Sequence, residues 1–302
     1  MVSQVEPELR RVGAALFHGL ANFDLPIRKP RGTRFVLTVH DLIPLEWPEA
    51  VSRAYRLQFR AWLMRCLDLA DAIVCPTQAV AAGLRETFPR APPARVISMG
   101  VTRRSPRSEV AVARRYFLAL GSVEIRKNLS LLRRAFESNA DLFSREGIEL
   151  WIAGQPGYGG AAIVAELQNA GAGVKFLGPQ SARALADLMR GALALCAPSL
   201  AEGFGLPPLE ALALGTPVLA SDIPAHREVL GEAAELLPPT EVEAWGAALR
   251  RVAADPDFRG RLARLGPVRA AEHTWARTAR QTEALYREVL GESSGEKAKK
   301  SG

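Results

Sequence analysis

Short apolar runs alternate with amphipathic stretches along this chain, and the alternation predicts strands and helices in turn. Arg34-Phe35-Val36-Leu37-Thr38-Val39, Ala72-Ile73-Val74-Cys75-Pro76 and residues 95–101 read as strands of a first group. Residues 116–121, 149–154, 174–178, 192–197 and 218–221 read as a second group. Most of these runs are continuously apolar, the pattern of strands buried on both faces of a parallel sheet. Between them lie helical patterns. Residues 51–69 place Tyr55, Phe59, Trp62, Leu63 and Cys66 at helix spacing. Further helices are expected after Thr77, a candidate N-cap, and at residues 129–137, 182–190 and 275–290. Residues 8–17 read as an amphipathic helix, or Ala15 to His18 as a short strand ending at Gly19. Strand–helix alternation with short connections implies an α/β fold of parallel layers.

The 302 residues exceed one usual core and imply two domains. Thr102-Arg103-Arg104-Ser105-Pro106-Arg107-Ser108 is polar, charged and proline-broken, as an interdomain connection should be. The expected divisions are an N-terminal domain over 1–103, a linker over 104–114, and a C-terminal domain over 115–272. A final helix over 273–290 and a disordered polar tail over 291–302 follow.

Composition adds little until charge is counted. The chain is 48% hydrophobic and 24% charged, ordinary for a globular protein. No apolar run approaches the roughly 20 residues of a membrane span, and Met1 to Glu6 has no secretory pattern, so a cytoplasmic location is expected. Cys66, Cys75 and Cys196 are odd in number and lack metal-ligand spacing, which reads as buried free thiols. The net charge of +7 favours a polyanionic partner or surface. Arg53, Arg56 and Arg60 recur at helical spacing. That face reads either as the solvated side of a core helix or as a peripheral contact with anionic lipid. No aromatic–basic platform, zinc spacing or recognition-helix pattern accompanies the basic stretches, so nucleic acid is excluded as a partner. Asp255-Pro256-Asp257 follows a helix rather than a strand and reads as a turn and helix cap; no metal is expected.

The candidate chemistry centres on residues 199–218. Ser199-Leu200-Ala201-Glu202-Gly203-Phe204-Gly205-Leu206-Pro207-Pro208 leaves a buried strand, passes a Gly-rich turn and enters a short helix carrying Glu210. A strand, a Gly-rich loop and a helix N-terminus make an anion site, while carboxylates beside it suit sugar hydroxyls. The same construction recurs earlier: the strand ending at Gly121 runs into Ser122, then Arg126-Lys127-Asn128 and a helix. Two cations at a helix start supply what a departing diphosphate requires. His40 and Asp41 end the Arg34–Val39 strand, where open α/β sheets bind ligands. His40 reads either as a ligand contact or as part of a loop cap made through its neighbour's carboxylate.

The spacing Glu202-x7-Glu210 around Gly-Phe-Gly-Leu-Pro-Pro, with Gly215-Thr216-Pro217-Val218 behind it, resembles the donor-site signature of retaining glycosyltransferases. These have the GT-B architecture, in which two Rossmann-like domains face a cleft. The similarity is greatest to glycosyltransferase family 4, which includes bacterial mannosyl- and glucosyltransferases of surface polysaccharides. Arg126-Lys127-Asn128 resembles that family's pyrophosphate-holding motif, and His40-Asp41-Leu42-Ile43-Pro44 its contact to the donor sugar. Ser122 stands where many relatives carry an Arg, and no Gly-Gly loop opens the first half. The N-terminal domain is therefore expected to be abbreviated.

The resemblance implies a metal-independent hexosyltransferase without a cofactor. The donor is a nucleotide-diphosphate sugar, GDP-mannose favoured and a UDP-sugar the other choice; the acceptor is a glycan or lipid-linked sugar in surface polysaccharide or glycolipid synthesis. It assigns Glu202 and His40 to the donor sugar and Arg126 and Lys127 to the leaving diphosphate. Gly121, Ser122, Gly203, Phe204, Gly205 and Leu206 would line the donor site, with Glu210 on the ribose. His226 and Glu228 read as orienting the loop after the Val218–Ser221 run. Transfer with retention is implied, by front-face attack, with the residue 273–290 helix packing back on the first domain. A covalent role for Glu202 is open on chemistry alone. A donor-binding but non-catalytic partner subunit is the second reading. A Rossmann-type oxidoreductase would need Gly-x-Gly-x-x-Gly, and the chain has none.

Overall fold

The structure, a computed structural model, describes residues 2–102, 115–171 and 173–291. The expected linker over 104–114 and the tail beyond Gly291 lie outside these residues. The chain divides into two units: Met1–Pro48, Ser52–Gly100 and Trp275–Gly302 form the first, and Glu49–Val51 with Val101–Thr274 the second.

The first unit opens with helix α1 (Val2–Val12), then strand β1 (Leu16–Gly19), β2 (Arg34–Thr38), a short α2 (Ile43–Glu46), α3 (Arg53–Leu69), β3 (Ala72–Cys75), α4 (Gln78–Thr87) and β4 (Ala94–Val96). Of the two openings read here, the short strand is present, and the helix starts earlier than residues 8–17, ending before Gly13. The four strands lie parallel in the order β1-β2-β3-β4. Thr77 caps α4 by accepting from the Val80 N–H. β4 is shorter than the expected 95–101: Ile97 still donates to the Cys75 carbonyl, but by Val101 the backbone donates to His273 outside the sheet.

One face of this sheet packs on α1, α3 and α4 through Leu9, Phe35, Leu37, Phe59, Leu63 and Leu84. Val36, Val74 and Ile97 point the other way, as strand alternation requires. They are covered by Leu285 of the last helix, α13 (Trp275–Leu290), with Tyr286 and Val289 beside it. Polar contacts fasten α13 to the same unit. Thr278 donates to the Ser98 carbonyl at 2.7 Å, and the Tyr286 hydroxyl lies 2.7 Å from His18 Nδ1. The other His18 ring nitrogen meets Thr38 Oγ1 at 2.8 Å. Burial, with the neighbouring His40 charge adding to it, pulls the His18 pKa to about 4, so the ring is neutral at physiological pH.

In chain order the second unit comprises β5 (Arg115–Leu120), α5 (Leu129–Glu137), α6 (Ala140–Arg145), β6 (Ile148–Ala153), α7 (Gly160–Gln168), β7 (Val174–Gly178) and α8 (Ala182–Gly191). After these come β8 (Ala194–Ala197), α9 (Leu206–Ala213), β9 (Val218–Ser221), α10 (Pro224–Leu230), β10 (Glu235–Leu237), α11 (Val242–Ala254) and α12 (Pro256–Ala270). The strands are parallel in the order β10-β9-β8-β5-β6-β7. β5 leads to β6 and β7 on one side, and the chain then returns to lay β8 on the other. That reversal is a topological switch point between β5 and β8, where the loops leaving the two strands diverge and open a crevice.

β8 begins two residues later than the apolar run because α8 continues to Gly191. Asp255 accepts from the Phe258 N–H and caps α12, as a turn-and-cap reading requires. At the carboxyl ends of β5 and β6 the backbones touch: a Cβ added to Gly154 would sit 1.8 Å from the Gly121 carbonyl oxygen. All three cysteines are buried free thiols. Among the described residues no helix is long and apolar enough to cross a membrane.

Candidate functional site

The loops leaving β5 and β8, side by side at the switch point, converge on one carboxylate. After β5 the chain turns at Gly121 and makes a single 3-10 turn over Ile125–Lys127. It then enters α5 through Asn128, which adopts the left-handed conformation. The 3-10 turn projects Arg126 and Lys127 toward the β8 loop, and the Leu200 N–H donates to the Arg126 carbonyl at 2.8 Å. Glu202 receives both cations. Its Oε1 accepts from Lys127 Nζ at 2.5 Å and from Ser199 Oγ at 2.7 Å, and its Oε2 accepts from Arg126 Nη1 at 3.0 Å.

The other face of the Arg126 guanidinium is also engaged, its Nη2 lying 2.8 Å from Glu124 Oε1. That same oxygen accepts from the Ser122 hydroxyl at 2.5 Å. The four charged side chains keep only 12–19% of their surface exposed. Burial alone would raise the Glu202 pKa. The charges of Lys127 and Arg126, with the Lys127 and Ser199 hydrogen bonds, override it and hold the carboxyl at about 2. Glu202 is therefore fully ionised, an acceptor with three donors already on it.

The turn that follows carries α9. Gly205, at φ 97°, occupies a backbone region that side chains rarely adopt, and it caps the helix. A helix start ordinarily offers four free N–H groups, but Pro207 and Pro208 remove two of them. The anion-binding capacity expected here falls to the backbone of Gly203 to Leu206. Phe204 does not offer its ring, which is buried and lies edge-on to His273 at 5.8 Å.

His226, in the first turn of α10, has no exposed surface. Its Nδ1 lies 2.9 Å from the Ser221 carbonyl and therefore carries the hydrogen. Its ring packs against Gly205, where an added Cβ would come within 3.1 Å. Burial pushes its pKa down, so the ring is a neutral support beneath the turn. Glu210 is half-buried at the fifth position of α9 and is not a partner in the ion pairs described above.

His40 belongs to the first unit. Its N–H donates to Asn22 Oδ1 at 2.6 Å, and Nε2 lies 2.7 Å from the Leu20 carbonyl. A carbonyl only accepts, so Nε2 carries the hydrogen. The loop cap is made by Asp41 alone, whose Oδ1 accepts from the Ile43 N–H. On α3, Arg53 and Arg60 are exposed beside Leu57 and Met64, but Arg56 is half-buried, so the three arginines do not share one solvent face.

The structure thus brings together Ser122, Arg126, Lys127 and Glu202, and it sets Gly203 to Leu206 immediately after them. Sequence reasoning missed Glu124 and Ser199 as partners. The alternation Ser122-x-Glu124-x-Arg126 carried the first signal. Among the described residues no group of three or more His, Cys, Asp or Glu is arranged to hold a metal ion.

Residues 102–267 match the family model described as Glycosyl transferases group 1, and residues 7–104 match Glycosyltransferase Family 4. The chain is 28% identical over 230 residues to the O-antigen chain mannosyltransferase RfbU of Salmonella typhimurium, covering 75% of this chain and 63% of the relative. It is 27% identical over 287 residues to O-antigen chain mannosyltransferase B of Escherichia coli, covering 90% and 74%. Among solved structures it resembles a sucrose-phosphate synthase from Thermosynechococcus elongatus, with a TM-score of 0.81 and 24% identity over 97% of this chain and 78% of the other. Anabaena Alr3699/HepE in complex with UDP and glucose gives a TM-score of 0.71 at 21% identity, covering 84% and 72%. At these identities the structural likeness shows the fold.

Proposed function

The chain belongs to the group 1 glycosyl transferases, with two Rossmann-like domains of the GT-B kind, and from that premise we propose that it is a retaining hexosyltransferase. The donor is a nucleotide-diphosphate sugar, GDP-mannose favoured over a UDP-sugar, and the acceptor is a glycan or lipid-linked sugar. Its product enters surface polysaccharide or glycolipid. The observation that carries the reading is the meeting of Arg126 and Lys127 on Glu202 beside the Gly203–Gly205 turn.

As the anomeric bond breaks, negative charge builds on the β-phosphate, and two cations held 3 Å or less from a neighbouring carboxylate are preorganised to receive it. Arg126 and Lys127 are the cations assigned to the leaving group, and metal independence is taken from the resemblance. Glu202 orients the donor sugar by accepting from its hydroxyls. A carboxylate already holding three donors is a weak nucleophile, which favours front-face attack by the acceptor over a covalent intermediate. Glu210 is assigned to the ribose hydroxyls. His40 is assigned to the sugar by resemblance. The exposed Arg53, Leu57, Arg60 and Met64 on α3 suit a peripheral contact with anionic lipid.

Calorimetric titration of GDP, UDP and ADP tests the reading. One of them binds, and Glu210→Ala weakens it by about 1–2 kcal/mol, the range for a lost hydrogen bond. Turnover of the matching sugar nucleotide, unchanged in EDTA, separates an enzyme from a donor-binding partner subunit. Absence of binding by all three sinks the donor-site assignment.

A further inference from the structure

Charge at this site is balanced before any ligand arrives. Arg126 and Lys127 are matched by Glu124 and Glu202, all four largely buried. A crevice bounded by Gly121, Ser122, Lys127, Ser199 and Glu202 lies beside them. A diphosphate that pairs with Arg126 competes with the carboxylates already on it.

The two carboxylates are not held alike. Glu202 has Lys127, Arg126 and Ser199 on it. Glu124 has Arg126 and the hydroxyl of Ser122, two residues away, and its other oxygen faces Gly157, 3.6 Å from where that residue's Cβ would stand. Gly157 flanks this side with no side chain to pin the carboxylate. Glu124 is the counter-ion that yields.

Resting on the donor-site reading above, we propose that Glu124 is a displaceable counter-ion that competes with the diphosphate for Arg126 and so keeps the nucleoside diphosphate product loosely bound. A sugar nucleotide carries two negative charges on its diphosphate. After transfer the terminal phosphate is free, with a second ionisation near pH 6, and the product carries roughly three. The carboxylate thus opposes product more strongly than donor, and its return to Arg126 drives release. Glu124 acts on the ligand through Arg126 and touches no reacting atom.

The test is calorimetry of the full chain with GDP and UDP, with guanosine and uridine as uncharged probes. Glu124→Gln keeps the acceptor oxygen and removes only the charge, and Glu124→Ala serves as a second variant should the first unfold. The expected result is a nucleoside diphosphate affinity about tenfold tighter than wild type, as removal of one nearby like charge implies. Nucleoside binding is unchanged, and inhibition by product rises relative to the donor KM. Weaker diphosphate binding in the variants overturns the proposal, because Glu124 would then be aiming Arg126. An equal change for the nucleosides overturns it too. Lys127→Met guards the premise: if it leaves wild-type diphosphate affinity unaltered, the site assignment fails rather than the role of Glu124.

Discussion

Glu202→Ala lowers sugar transfer by about a thousandfold, the range for losing a preorganised polar group at a reacting centre. The substitution removes the acceptor for the sugar hydroxyls and releases Lys127 and Arg126 from the carboxylate that aims them. Nucleoside diphosphate binding survives, because both cations remain. Initial rates with a saturating donor measure the loss, and a drop of less than tenfold would remove Glu202 from the chemistry. The same variant has a stability signature. The folded Glu202 carboxyl sits at about 2 against a reference of 4.5. Its ionised form therefore stabilises the fold by about 3 kcal/mol above pH 4.5, and that share is lost as pH falls toward 2. Thermal midpoints of wild type and variant should differ at pH 7 and converge on acidification. A constant gap across that window would contradict the ion-pair account.

The second large effect is on the fold itself. Gly154→Ala drives a methyl to 1.8 Å from the Gly121 carbonyl oxygen and 2.8 Å from its carbon, both backbone atoms with no rotamer to yield. The β5 and β6 ends must part, and the expected cost is about 4 kcal/mol or more, the range reserved for severe overpacking. For a domain of this size that lowers the midpoint by roughly 8–16 °C. Because Gly121 precedes Ser122 and Glu124, nucleotide binding falls with it. Circular dichroism melts read the first effect, and a near-native midpoint would mean that the two loops are not in contact.

The second unit's sheet was legible because its central strands are buried on both faces, and continuous apolar runs such as Tyr116–Leu120 have no competing reading. Strand ends were not, since they depend on neighbours: α8 extends to Gly191 and delays β8. The cations and Glu202 could be read from their strand–loop–helix setting. Their pairing could not, because it joins residues more than seventy positions apart. The His40 tautomer is likewise set by a non-local contact, the Leu20 carbonyl twenty positions earlier at the end of the neighbouring strand. The loss of N–H groups at α9 was visible in Pro207-Pro208 and is a matter of counting donors.

The helix that covers Val36, Val74 and Ile97 is made last among the elements described here. On a ribosome adding roughly 5–20 residues per second, residues 1–100 wait on the order of ten seconds or more while the whole second unit emerges. Throughout that time one side of the first sheet stands bare. The second unit owes nothing to this delay, for its core is complete by Ala270. The first unit therefore gains its second packed face only after the second unit has been made. A cell short of chaperone capacity would be expected to lose this protein through its opening hundred residues.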